Sequence, residues 1–262
     1  MKFNNSIKHT IIIMSLLLYF ASQALADDSQ SSKQRIYKQL VETSLQQFEN
    51  SDRKNWSFTV HRMENEEGNI TSRIERYKPN PDKSKQWTLI RSNNQQPTPK
   101  QQAEFVKSRA EIEKSKQDGD NNLAFNLRDL INQESLILQN ETDTHHQLNF
   151  DVHIEKLGED AKGKLDGVLT YNKQLKFIDS IEITNNSDFS PMFSADISSF
   201  KITMKFHKLA DSILPLENTM DMKGTFAFFT EIDETSIDTF SDFSYQKTTN
   251  HLKLSPNIAN DK

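Results

Sequence analysis

The chain has no cysteine. That absence points away from the small disulfide-stapled secreted domains, removes any thiol nucleophile and leaves no cysteine to carry a lipid behind a leader segment. Standard catalytic signatures are missing as well. There is no Gly-x-Ser-x-Gly elbow, no phosphate loop and no His-Glu-x-x-His zinc helix. Positive charge is scarce: 32 Lys and Arg stand against 37 Asp and Glu, a formal charge of −5. No basic field of the kind that holds nucleic acid or an anionic membrane follows from such a balance. Long apolar runs are also wanting. The one clear run, Ile11 to Phe20, is short for a membrane span of about 20 residues.

What is present begins with that run. Lys2 and Lys8 precede it, and Ala24-Leu25-Ala26 follows it. A positive start, an apolar centre and small residues at the cleavage site read as a signal peptide over residues 1–26, cut before Asp27; an uncleaved anchor is the alternative. Loss of Lys2 and Lys8 takes the 32 basic side chains to 30 against 37 acidic ones, a charge of −7. The mature protein is expected to be soluble and periplasmic, with no stable membrane anchor. Residues 27–250 are read as one β-rich domain and 251–262 as a polar tail.

The clearest pattern runs from His146 to Ile183. Leu148, Phe150, Val152 and Ile154 alternate with Asn149, Asp151, His153 and Glu155, a period of two that splits a strand into a dry and a wet face. Leu165, Gly167, Leu169 and Tyr171 repeat it, and Phe177, Asp179, Ile181 and Ile183 repeat it again. Three strands with short polar turns make an antiparallel meander. Phe200, Ile202, Met204 and Phe206 mark a late strand. Trp56-Phe58-Val60, Ile70 to Tyr77, Gln86 to Arg91, Lys223 to Thr230 and Thr239 to Gln246 read as others. Leu136-Ile137-Leu138 reads as a strand buried on both sides, and Pro215 as an interruption.

Two helices stand out. Ile36, Tyr37, Leu40, Val41, Leu45 and Phe48 form one apolar stripe over Arg35 to Glu49. Thr98-Pro99-Lys100-Gln101 is a capping box with proline at the first helical position. The helix behind it, to about Lys116, has Ala103, Val106 and Ala110 near one face and is otherwise charged. Leu123 to Ile131 suggests a third, short one. About ten strands in sequence, paired consecutively, must curl. The expected fold is α+β and mostly β: a curved antiparallel sheet forming an open, half-closed barrel with helices over its concave face.

Function follows from what that face holds. Phe150, Val152, Leu169, Ile181, Ile202, Met204 and Phe206 are the candidate lining of an apolar cavity, since Phe and Met adapt to acyl chains; the alternative is ordinary core. His145, His146 and His153 read as solvated histidines with no third metal ligand in view. Glu231, Asp233, Glu234 and Asp238 read as a solvated turn that lacks the order of a calcium loop. No cofactor, no metal and no enzymatic activity are expected.

The order of these elements resembles the LolA/LolB-like fold of Gram-negative envelope proteins. The likeness is carried by the leader, the Ile36 to Phe48 helix, the strand opening Trp56-Ser57-Phe58, Arg76-Tyr77-x-Pro79, Trp87-Thr88-Leu89 and the Pro97-Thr98-Pro99 helix. The last segment is also similar to uncharacterised exported proteobacterial proteins. The resemblance implies an open barrel and three roles: lipoprotein carrier, lipid-modified receptor, or sensor of mislocalised lipoproteins. The missing cysteine separates this chain from the receptor, the helix of residues 99–116 separates it from the shorter carrier, and no carrier residue is transferred to a position here. Two readings result. One is a periplasmic protein that shelters a lipid or acylated protein; the other is a regulatory module, its sheet plugged by helices, that acts on an envelope protein partner.

Overall fold

The structure is a computed structural model of the chain and describes residues 32–117, 126–227 and 229–246. The signal peptide expected over residues 1–26 and the polar tail expected over 251–262 lie outside the described residues, as do residues 118–125. The fold is mostly β. One antiparallel sheet of eleven strands, not closed into a barrel, carries a few helices.

Helix α1 covers residues 32–49, three residues earlier than the stripe predicts. The strands are β1 (Trp56–Glu66), β2 (Asn69–Tyr77), β3 (Trp87–Ser92), β4 (Ile137–Glu141), β5 (His145–Asp151), β6 (Leu165–Asn172), β7 (Phe177–Asn185), β8 (Phe189–Met192), β9 (Ala195–Leu209), β10 (Ser212–Phe226) and β11 (Thr230–Tyr245). Helices α2 (Pro99–Gln117) and α3 (Leu127–Leu130) fall between β3 and β4. The capping box forms as read: Thr98 N–H donates to Gln101 Oε1 at 2.8 Å and Gln101 N–H to Thr98 Oγ1 at 3.2 Å.

The spatial order is β3-β2-β1-β11-β10-β9-β7-β6-β5-β4, with β8 beside β9. Consecutive pairing therefore fails at two places, since β7 pairs with β9 rather than β8 and β3 does not pair with β4. β1 pairs with β11 across the whole chain, so β3 and β4, neighbours in sequence, become the two opposite edges.

Several local expectations are corrected. Leu136 to Leu138 is not a strand buried on both sides: a 3₁₀ turn ends at Ser135, β4 is an edge strand and Ile137 is 64 % exposed. Pro215 does not interrupt; it sits inside β10 at a register shift, where a bulge tolerates its missing N–H. The Lys223 to Thr230 stretch spans the end of β10, a turn and the first residue of β11. Glu231 to Asp238 is not a turn but part of β11.

The core lies on one face of the sheet. Register carries that face across the molecule in a single row: Leu138, Leu148, Leu169, Ile181, Met204, Asn218, Asp238, Arg62 and Arg73 stand opposite one another in turn. The row begins apolar and ends charged. Side chains paired directly across antiparallel strands share a face, so one inner face has a dry half and a charged half.

Candidate binding face

The dry half contains all seven candidate lining residues. Phe150 is on β5, Val152 just beyond it in a bridge to Ile131, Leu169 on β6, Ile181 on β7, and Ile202, Met204 and Phe206 on β9. The fold brings them into one cluster, six buried and Met204 half-buried against it. Gly167, opposite Phe150, is part of the fit: a Cβ there would lie 2.3 Å from the Phe150 ring.

Helix α1 lies in the same cluster, with Tyr37, Val41 and Leu45 buried among the sheet residues and Leu40 and Phe48 partly so. A stripe of this kind needs an apolar surface to cover it, and the dry half supplies one. Polar ties fix the docking. Ile178 N–H donates to Ser44 Oγ at 2.8 Å, inside the core. Arg128 of α3 reaches Glu42 at 2.6 Å and Glu49 at 2.7 Å. Those hydrogen bonds hold the Glu42 carboxyl down at about 2 and lower that of Glu49. Lys38 pairs with Glu134, and the Phe48 ring meets Phe206 edge-on at 5.4 Å.

The charged half is built on β1, β2 and β11. Glu75, 1 % exposed, is its centre. Arg109 of α2 donates to it, with the Arg73 Nε at 3.6 Å and the Arg62 Nε at 4.0 Å. Arg73 also takes both oxygens of Glu64 at 2.9 Å, and Arg62 donates to Asp238 at 2.8 Å. Three guanidiniums meet three carboxylates, so the formal charges cancel. Burial raises the Asp238 carboxyl, and Arg62 opposes that rise. The Arg109 guanidinium lies 4.1 Å over the Trp87 ring.

This half departs from the sequence reading in two ways. Helix α2 does not face the sheet through Ala103, Val106 and Ala110, since both alanines are exposed; buried Phe105 and Arg109, one turn apart, make the contact. Asp238 is half-buried inside a strand rather than in a wet turn. The spacing of Phe105 and Arg109 was the available signal. An isolated arginine on a charged helix says nothing about a buried partner 34 residues away.

Between the halves lie Met204, Met220 and Met222, half-buried at the margin of the core. Two of the three histidines, His145 and His146, differ from the solvated reading. His145 lies between Asp179, 2.7 Å from Nε2, and Thr144 Oγ1, 2.8 Å from Nδ1. A bulge between Ile178 and Ser180 turns Asp179 away from the dry face on which alternation would put it. His146 sits between the rings of Tyr37 and Tyr171 at 5.4 and 6.3 Å, and burial lowers its pKa. His153 is exposed. Among the described residues no group of three or more His, Cys, Asp or Glu side chains could hold a metal, and no helix is long and apolar enough to cross a membrane.

A cavity of about 280 Å³ opens at the rim of the dry half, between Tyr37 of α1 and Leu136 to Leu138, and is lined by none of the seven candidate residues. A larger one of about 500 Å³ runs between α1 and residues 131–134, lined by Arg35, Lys38 and Glu42 among others. Another of about 210 Å³ lies between α2 and β3, against Trp87 and Arg109. Neither is lined by any of the seven candidate residues.

No family model matches the sequence, and no curated protein matches it. Among solved structures, the crystal structure of a DUF1329 family protein from Desulfovibrio piger is similar at a TM-score of 0.36 and 11% identity, over 84% of this chain and 94% of that one. At this level the likeness identifies neither a family nor an activity.

Proposed function

We propose that this protein is an interaction module of the cell envelope, exported to the periplasm, whose sheet is plugged by its own helix and which acts through its surface on a protein partner. One observation carries the reading: α1 and the seven candidate lining residues form a continuous closed core. An acyl chain entering the dry half must displace Tyr37, Val41 and Leu45, each worth roughly 1.5–3 kcal/mol when fully buried, and must break the Arg128 ties to Glu42 and Glu49.

The lipid-sheltering reading keeps one favourable observation, the half-buried methionines 204, 220 and 222 beside α1. Flexible thioethers suit an adaptable apolar contact. Native mass spectrometry combined with uptake of a fluorescent fatty acid separates the two. A bare chain mass with no uptake is expected. A reproducible lipid adduct, lost on Met204→Asp while the fold persists, would overturn the plugged module in favour of a carrier.

A further inference from the structure

The two most exposed large apolar side chains of the described residues, Phe193 and Phe229, stand side by side with two further exposed ones. Phe193 is 95 % exposed and Phe229 87 %, with Met192 at 58 % and Phe226 at 45 %. Phe193 and Phe229 stand on two adjacent turns, the one between β8 and β9 and the one between β10 and β11, and Met192 and Phe226 end the strands that lead into them. The turns are joined: Ala227 N–H donates to the Ser194 carbonyl at 2.7 Å, and Phe226 stands opposite Ala195. Ala227, where the chain leaves β10, holds a left-handed φ of 50°.

Single exposed apolar residues are ordinary, but a joined group at one end of a sheet marks a contact surface. Its shape limits the occupant. The rings project, and a rigid protein surface would need matching pockets to receive them. The interfacial layer of a bilayer needs none, and takes in side chains while the turn backbone stays hydrated. Charge limits it further. Behind the tip stand Asp196, Glu231, Asp233 and Glu234, with Glu66 and Glu67 of the β1–β2 turn beside them: Glu67 N–H donates to the Asp233 carbonyl at 3.0 Å. Lys223 pairs with Asp233 at 3.6 Å, and on the β8 side Lys164 pairs with Asp160, which accepts from Ser190 N–H, so the cations near the tip are themselves matched by carboxylates. An anionic surface is repelled by such a shoulder within a Debye length of about 10 Å.

We infer that Met192, Phe193, Phe226 and Phe229 form a tip that inserts reversibly into a zwitterionic lipid surface. Affinity comes from the rings and not from charge. The contact is transient, since a few side chains fall short of the two signals that stable anchoring takes. It stands apart from the plugged core and needs no cavity in the sheet.

Co-sedimentation of the purified protein with phosphatidylcholine vesicles tests this. Wild type is expected to sediment, with little change on raising salt, and less when phosphatidylglycerol replaces part of the phosphatidylcholine. Phe193→Ser with Phe229→Ser is expected to lower the partition at least tenfold, about 1.4 kcal/mol, while thermal unfolding stays unchanged because both rings stand in solvent. Phe193→Trp should blue-shift on adding vesicles, above the signal of the native tryptophans. Failure of wild type to sediment, equal binding by the double variant, or a preference for phosphatidylglycerol abolished by salt would each overturn the proposal. So would a vesicle-independent dimer of wild type that the double variant loses, which would make the tip an interface between copies.

Discussion

The dry half under α1 and the charged half under α2 belong to one face of one sheet, yet they exclude water by different means. Under α1, Val41, Leu45, Leu169 and Ile181 remove apolar surface from water, and the gain depends on area and close fit. Under α2, a single fully withdrawn carboxylate, Glu75, is compensated by Arg109, Arg73 and Arg62. The apolar burial of the first arrangement tolerates changes of salt, and its geometry comes from shape together with the Ser44 and Arg128 ties. The second adds directional contacts whose loss leaves a buried charge alone. Helix α1 is thus held by its stripe, and α2 by Phe105, Arg109 and the Trp87 ring beneath them.

Breaking the charged half should have the larger effect. Glu75→Gln leaves Arg62, Arg73 and Arg109 facing two carboxylates instead of three. Removal of one member of a buried pair costs about 3–5 kcal/mol, and a loss of about 4 is expected in urea unfolding. Part of it should be masked in high salt, because Arg73 is about a third exposed and its field is screened. An unchanged midpoint would mean that α2 is held by Phe105 alone.

In the dry half, Leu45→Ala should cost about 3 kcal/mol, transfer and cavity terms together, with no dependence on salt. Comparison of the two variants across a salt series therefore separates the two means of excluding water. Equal salt responses would erase the distinction between the halves.

The sequence made the dry half legible because its strands alternate cleanly and its helix carries a matching stripe. Leu165 to Tyr171 point as their period requires, and so do the seven candidate lining positions. Alternation separated the faces of β2 as well, with Ile70 and Ile74 on one and Arg73, Glu75 and Tyr77 on the other. It could not say which face is inside. Hydropathy favours the isoleucines, yet Ile70 is largely exposed and Glu75 is buried, because the side chains that cover Glu75 come from β1 and α2. Bulges were equally silent: one extra residue at Asp179 flips its side chain to His145 without a mark in composition. The placing of β1 beside β11 is a long-range choice that local pattern does not carry. Pattern places Phe226 and Phe229 in one strand; Phe226 does end β10, but Phe229 stands in the turn beyond it and both rings are exposed, because hydropathy alone does not say where a strand stops.

The smallest expected effect lies where α1 meets the rim of the dry half. His146 is held between Tyr37 and Tyr171, and burial, then the Lys173 ammonium, moves its pKa below the ordinary 6.5, with Glu141 opposing. Below pH 6.5 the unfolded chain takes up a proton that the folded imidazole refuses. Stability should therefore rise with pH from the folded value up to about 6.5, and fall as the medium is acidified through that window. Burial lowers His207 in the same direction, so the two histidines share the slope. His146→Gln should remove its part, less than about 1 kcal/mol at this partly shielded site, and the His146→Gln, His207→Gln pair should flatten the profile between pH 5 and 7. The height of the curve will also drop, because Tyr37 loses its ring contact; the slope, not the height, is the measure. A slope unchanged in the double variant would place the acid sensitivity elsewhere. The Glu42 and Glu49 ties to Arg128 would then be the next groups to examine, since their stabilisation is complete above about pH 4.3 and, for Glu42, fades as pH falls toward 2.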